Sequence, residues 1–337
     1  MLIFRTLFED IFLLDDITAM KRLQYLQPLC VMLISSSEIY SKHYNVENLW
    51  PYFKKNEKGW FQVWTENLNE CLNDPLKKDS SYVVRLLETL KNCLNWPFAS
   101  IMVQTNIAAL LFKCLLTTNS KIQVLALDSL HVLYTRPYTK TEQLATIMDV
   151  YYNSVDLLEQ FYETLLFDPS VEVDDEKYPV VKKFVDMIVS FHISFLKLAE
   201  NDDLAKLQIL KKYLNLILKI TKNSSLVVSG LTLEMWVYML RQDDKLKILS
   251  DFNIIPQLLQ FAADSLIYYE EIKDHVSKNY IDTDYQSIEE YKSFCSLYRK
   301  PIRDIIRLIS CVKLDFALDW LNQRLNMFFS SPVGSVV

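Results

Sequence analysis

The chain has 337 residues, 50% of them hydrophobic, with 36 lysines and arginines against 42 aspartates and glutamates and a formal net charge of −6. That acid excess excludes a general attraction for phosphate backbones and leaves only local basic patches. Glycine occurs at Gly59, Gly230 and Gly334 alone, so neither GxGxxG nor a Walker loop can be written, and β-rich or nucleotide-binding α/β folds lack the residue their turns require.

In chain order the apolar spacing is helical. Leu2 to Leu14 predicts an amphipathic helix, Asp15 and Asp16 a turn, and Ile17 to Tyr40 a second helix bent at Pro28. The acids Glu9 and Asp10 inside the opening run, and the lack of a small-residue cleavage site, argue against a secretory signal. No apolar run reaches the roughly 18 residues of a membrane span. After an irregular stretch from Asn45 to Gly59, Trp60 to Leu72 and Ser80 to Leu94 form a pair stopped by Trp96-Pro97. Ala99 to Leu116 leads to a helix that starts at Asn119. Two longer helices, Thr141 to Phe167 and Lys177 to Glu200, flank an acidic loop from Asp168 to Glu176. Asn201, Asp202 and Asp203 cap Leu204 to Thr221, and another helix follows from Asn223. Asp243-Asp244 starts a short helical stretch, and Pro256 lies near the start of a helix running to about Ile272. Lys278 to Gln286 reads as a polar loop before the last helices, Ser287 to Cys311 and Leu314 to Phe329. The end, SSPVGSVV, reads as a loose tail, so residues 1–329 are assigned to one helical solenoid and 330–337 to the tail.

One pattern occurs twice. NSKIQVLALDSLHVLY, from Asn119 to Tyr134, is echoed by NSSLVVSGLTLEMWVY, from Asn223 to Tyr238. Each opens on an Asn-Ser pair able to cap a helix. Each then sets apolar groups on one face: Ile122, Ala126, Leu130 and Leu133 in the first, Leu226, Gly230, Leu233 and Val237 in the second. The small central residue, Ala126 or Gly230, lets a neighbouring helix come close, as the inner helix of a stacked hairpin requires. A repeat of whole hairpins predicts an all-α solenoid of HEAT-like antiparallel helix pairs, a segment of a right-handed superhelix.

Chemistry is sparse. The six cysteines, Cys30, Cys71, Cys93, Cys114, Cys295 and Cys311, show no paired short spacing and read as reduced thiols in apolar helices. His43, His131, His192 and His275 fit neither HExxH nor zinc-finger spacing, and His131 and His192 read as structural. The paired acids sit mostly where helices begin, where capping and dipole compensation account for them, and none extends to DDxxD. No enzyme, cofactor or metal site is expected. Two charged features remain. Glu172, Asp174, Asp175 and Glu176 form an acidic loop that either meets a basic partner or is simply solvated. Arg299, Arg303 and Arg307 line one helical face that either binds phosphate or pairs with Glu289, Glu290 or Asp304.

The order of these features carries a resemblance. IDTDYQSIEEYKSFCSLYRKPIRDIIRLI, followed by LDFALDWLNQRL, resembles the acidic segment, aromatic-rich helix, Arg-containing helix and closing Trp-Leu helix of β-karyopherins of the exportin-5 branch, including its fungal counterparts. Asp282, Asp284, Tyr291, Phe294, Arg299, Arg307, Trp320 and Leu321 stand at those features, and TLEMWVYMLR and LNWPFASI resemble earlier family helices. The resemblance covers almost the whole chain, as an internal segment. It implies a non-enzymatic carrier in nucleus and cytoplasm. Such a carrier binds Ran-GTP together with cargo, either folded or phosphorylated proteins or structured RNA such as tRNA, and passes the pore on phenylalanine-glycine nucleoporins. Ran binding is expected to need amino-terminal repeats outside this chain, which reads as a fragment or a truncated reading frame. The alternative is a helical-repeat scaffold with no GTPase linkage.

Overall fold

The computed structural model describes residues 65–66, 68–73, 80–94, 106–135, 141–166, 173–200, 203–266 and 277–330. The first expected helix pair, the segment Asn45 to Gly59, Glu172 and residues 331–337 of the expected tail lie outside these residues. Every regular element among the described residues is helical and none is a strand. The fold is an all-α helical repeat, as the periodicity and the scarcity of glycine predict. No described helix is long and apolar enough to cross a membrane. Two compact units divide the chain, Met1–Phe161 and Tyr162–Val337.

In the first unit α1 (Ser80–Cys93), α2 (Ile107–Leu115) and α4 (Thr141–Asn153) all pack against α3 (Ser120–Thr135), the first copy of the repeated pattern. Its predicted inner face is buried: Ala126, Leu130 and Leu133 are fully enclosed and Ile122 nearly so. Asn119 caps the helix, its side-chain oxygen accepting from the backbone N–H groups of Lys121 and Ile122 at 3.0 and 3.2 Å. Gln123 closes the hairpin from the other side. Buried in α3, it donates to the carbonyls of Leu115 and Thr117 at 3.1 and 2.6 Å, satisfying acceptors that the end of α2 would leave orphaned. A buried Tyr151 hydroxyl donates to the Leu130 carbonyl at 2.5 Å, and Lys91 pairs with Asp128 at 2.5 Å across α1 and α3.

The two expected long helices are each broken. Thr141 to Phe167 divides at Ser154 into α4 and α5 (Val155–Leu165). Lys177 to Glu200 becomes α6 (Lys177–Ser190), α7 (His192–Leu196) and a 3-10 turn, Lys197–Glu200. At both breaks side chains bond to nearby backbone acceptors. The Ser154 hydroxyl donates to the Val150 carbonyl at 2.6 Å, the Ser190 hydroxyl to Met187 at 2.6 Å, and His192 Nδ1 to Val189 at 2.8 Å. Burial lowers the His192 pKa, keeping the ring neutral, and its ring meets Tyr238 edge-on. That is the structural role expected for this histidine.

The second unit is built on α9 (Leu226–Leu240), the second copy of the pattern. Against it pack α6, α8 (Leu204–Thr221), α10 (Asp243–Asp251), α12 (Lys278–Asp284) and α13 (Ile288–Val312). Leu233 and Val237 are buried as expected. Rings of α13 lie over Gly230, where an added Cβ would meet Tyr298 at 3.4 Å and Phe294 at 3.8 Å. The cap differs from the first copy. Ser225, not the Asn-Ser pair, accepts from the Val228 N–H at 3.2 Å, while Asn223 turns back to the Ser225 N–H and also donates to the Tyr162 hydroxyl. Ser225 is itself held by the Tyr178 hydroxyl at 2.7 Å, which also reaches Asp284 of α12, and Lys182 pairs with Asp284 at 3.3 Å.

Beneath α9 runs a satisfied polar seam. The buried indole N–H of Trp236 donates to the Thr221 hydroxyl at 2.8 Å, Thr221 lies 2.8 Å from the Thr232 hydroxyl, and Ser229 donates to the Thr221 carbonyl at 2.7 Å. Tyr298 of α13 completes it with a 3.0 Å bond to Ser229. Each buried polar atom here has a partner, so the seam fixes the α8–α9–α13 packing without the cost of an orphaned group.

The segment Lys278 to Gln286, expected as a polar loop, is mostly helix. Its α12 buries Tyr280 and Ile281, with Lys278, Asp282 and Thr283 exposed and Asp284 turned inward to Tyr178 and Lys182. Pro301 lies inside α13, which continues through it at the loss of one hydrogen bond, with Pro301 itself buried. The start of α13 is a capping box in effect: Ser287 accepts from the Glu290 N–H at 3.2 Å and the Glu290 carboxylate returns to the Gln286 N–H at 2.9 Å. The last element, α14 (Leu314–Ser330), packs on α13 but has no buried residue.

Candidate partner-binding site

The three arginines do not form one site. Arg299 is half-buried and lines a groove of about 890 Å³ whose walls include Tyr291, Phe261, Phe316, Trp320 and Lys222. One wall of this groove is α14, held to α11 (Ile255–Ser265) by rim contacts. The Trp320 indole donates to Gln260 at 3.2 Å, and Arg324 pairs with Asp264 while stacking over Trp320. Arg303 and Arg307, one and two turns further along α13, are exposed and belong to another surface.

There Arg307 pairs with Asp304 at 3.1 Å on its own helix, and the other carboxylate oxygen of Asp304 takes Arg241, at the end of α9, at 3.3 Å. Sequence reasoning named Asp304 as a partner for the stripe but missed Arg241, because nothing local ties residues 63 apart. Glu290 is committed to the helix cap. The cations also follow a structural logic: Arg241 just follows the last turn of α9, where a positive charge meets the unsatisfied carbonyls.

In the acidic segment, Asp174 turns back to accept from the backbone N–H groups of Glu176 and Lys177 at 3.0 Å each, and so begins α6. Asp175 and Glu176 are exposed. Among the described residues no group of three or more His, Cys, Asp or Glu is placed to hold a metal ion. Cys71, Cys114 and Cys295 are buried, with burial pushing the Cys114 thiol up to about 12, while Cys311 is exposed.

Helices stacked on central repeat helices define a helical-repeat protein. Residues 175–337 match the Exportin-5 family. Over its whole length the chain is 48% identical to Protein MSN5 of Saccharomyces cerevisiae. It is also 26% identical, over 99% of its length, to an uncharacterized protein of Schizosaccharomyces pombe. It spans 27% of the length of each of these relatives. The chain is thus similar to an internal segment of exportin-5-type proteins.

Proposed function

We propose that this chain is a segment of a nuclear export receptor, a β-karyopherin that carries cargo rather than transforming it. The observation that carries this reading is the coincidence of the family match, residues 175–337, with the helices that present the groove and the arginines. Cargo, in the form of folded or phosphorylated proteins or structured RNA, is bound together with Ran-GTP. The complex crosses the pore on phenylalanine-glycine nucleoporins, so that the receptor shuttles between nucleus and cytoplasm. Arg299, Arg303 and Arg307 supply cations toward phosphate groups on cargo. The exposed Asp175 and Glu176, with the capping Asp174 beside them and Glu172 close by in sequence, offer acidic groups for a basic surface such as that of the GTPase. A pull-down with Ran in its GTP and GDP states, using this chain and a version extended at each end, tests the linkage. Nucleotide-independent capture of the same partners by the extended protein would favour a plain helical scaffold.

The arginines make a sharper expectation. In an extended protein that forms the Ran-GTP complex, changing Arg299, Arg303 and Arg307 to Glu is expected to weaken cargo binding by about tenfold or more, roughly 1.4 kcal/mol per factor of ten. Ran binding and helical content should stay nearly intact. Because Arg299 is half-buried, the double variant Arg303→Glu, Arg307→Glu separates binding from folding. Intact cargo affinity in a double variant with a lowered melting midpoint would assign these arginines to structure.

A further inference from the structure

We propose that Asp304 is a built-in competitor that occupies an oxyanion site formed by Arg241 and Arg307. The proposal rests on the reading of the α13 arginines as a cargo surface and adds to it a residue from α9 and a means of regulation. Each oxygen of Asp304 takes one arginine, Oδ1 with Arg307 at 3.1 Å and Oδ2 with Arg241 at 3.3 Å. Neither guanidinium therefore spends its two-pronged fork, the geometry that makes arginine a strong binder of phosphate and carboxylate. The arginine side chains remain 57% and 66% exposed, while Asp304 between them is 25% exposed. Arg303, next in sequence to Asp304, is exposed as well. A single carboxylate thus stands between two guanidiniums and joins them across two helices.

An arriving phosphate-type oxyanion would take the place of that carboxylate, replacing two single hydrogen bonds with forked ones. It would then bridge α9 and α13 as Asp304 does. Asp304 sets a threshold, since weakly charged surfaces fail to displace it and multiply charged ones succeed. The occupant is an oxyanion carried by a partner protein. The cluster is compact and the chain carries a net charge of −6, whereas a nucleic-acid backbone requires an extended basic track.

The test titrates the full 337-residue chain with pyrophosphate at low salt by calorimetry. Asp304→Asn is expected to bind about three- to tenfold more tightly than the native chain. Asp304→Glu, which keeps the charge, should bind as the native chain does. Asp319→Asn makes the same charge change on the exposed side of α14 and should alter affinity less than about twofold. Adding Arg241→Gln to Asp304→Asn should abolish the gain. Equal gains in Asp304→Asn and Asp319→Asn, or no pyrophosphate binding in either the native chain or Asp304→Asn, would overturn the proposal. So would a gain confined to duplex RNA. If Arg303→Glu, Arg307→Glu removes binding while Asp304→Asn leaves it unchanged, Asp304 is no competitor and the arginine surface stands. If the double variant binds as well as the native chain, the reading of that surface fails as well.

Discussion

Replacing Trp236 with alanine is expected to destabilise the second unit by about 3 to 5 kcal/mol, the range for deleting a buried large aromatic side chain. Trp236 is fully enclosed in α9 and is among the largest buried side chains of the chain. Its loss removes apolar contact on every side, because α9 is packed by α6, α8, α10, α12 and α13. The loss also takes away the indole N–H that the Thr221 hydroxyl accepts at 2.8 Å. Trp236→Phe separates the two contributions. It keeps much of the volume and drops the donor, so it should cost about 1 to 3 kcal/mol less than a full truncation. Urea unfolding followed by far-UV circular dichroism reads both variants. A midpoint unchanged in Trp236→Ala would mean that α9 is not what the surrounding helices depend on.

The second large effect concerns Gly230. A leucine there should cost about 1 to 3 kcal/mol, because its branches would run into Tyr298 and Phe294 of α13 and overpack the contact. Alanine should behave in the opposite way. Its Cβ would lie 3.4 Å from Tyr298, an ordinary contact, and alanine is favoured over glycine within a helix by up to about 1 kcal/mol. The pair of variants is therefore expected to move the thermal midpoint in opposite directions. A leucine variant that melts with the native chain would show that α13 does not close over α9 at this point.

The two repeat helices were legible because their signal is redundant. The pattern at Asn119 to Tyr134 and its echo at Asn223 to Tyr238 combine a cap, a buried stripe and a small central residue, and each part supports the others. The breaks at Ser154 and Phe191 were not legible. Serine and histidine are ordinary letters in a helical pattern, and the hydrogen bonds they make here to carbonyls three or four residues back leave the apolar period unchanged. The polar letters from Lys278 to Gln286 misled for a related reason, since α12 needs to bury only Tyr280 and Ile281 to hold its place. In the arginine stripe, helical spacing put Arg299, Arg303 and Arg307 on one face but said nothing of neighbouring helices. Those neighbours turn Arg299 toward the groove and bring Arg241 to Asp304.

The bond between Tyr178 and Asp284 has a directional consequence. A hydroxyl has one hydrogen to give, and that of Tyr178 goes to the Asp284 carboxylate. The bond between Tyr178 and Ser225 must then run the other way, with Ser225 as donor. Ser225 in turn takes its own hydrogen bond from the Val228 N–H. A one-way line therefore passes from the backbone of α9 through two hydroxyls to an anion on α12, and burial with the nearby carboxylate raises the Tyr178 pKa, keeping its proton in place. The orientation of the hydroxyl that caps α9 is thus set by a charge on a different helix, so the beginning of the central helix is polarised from outside it.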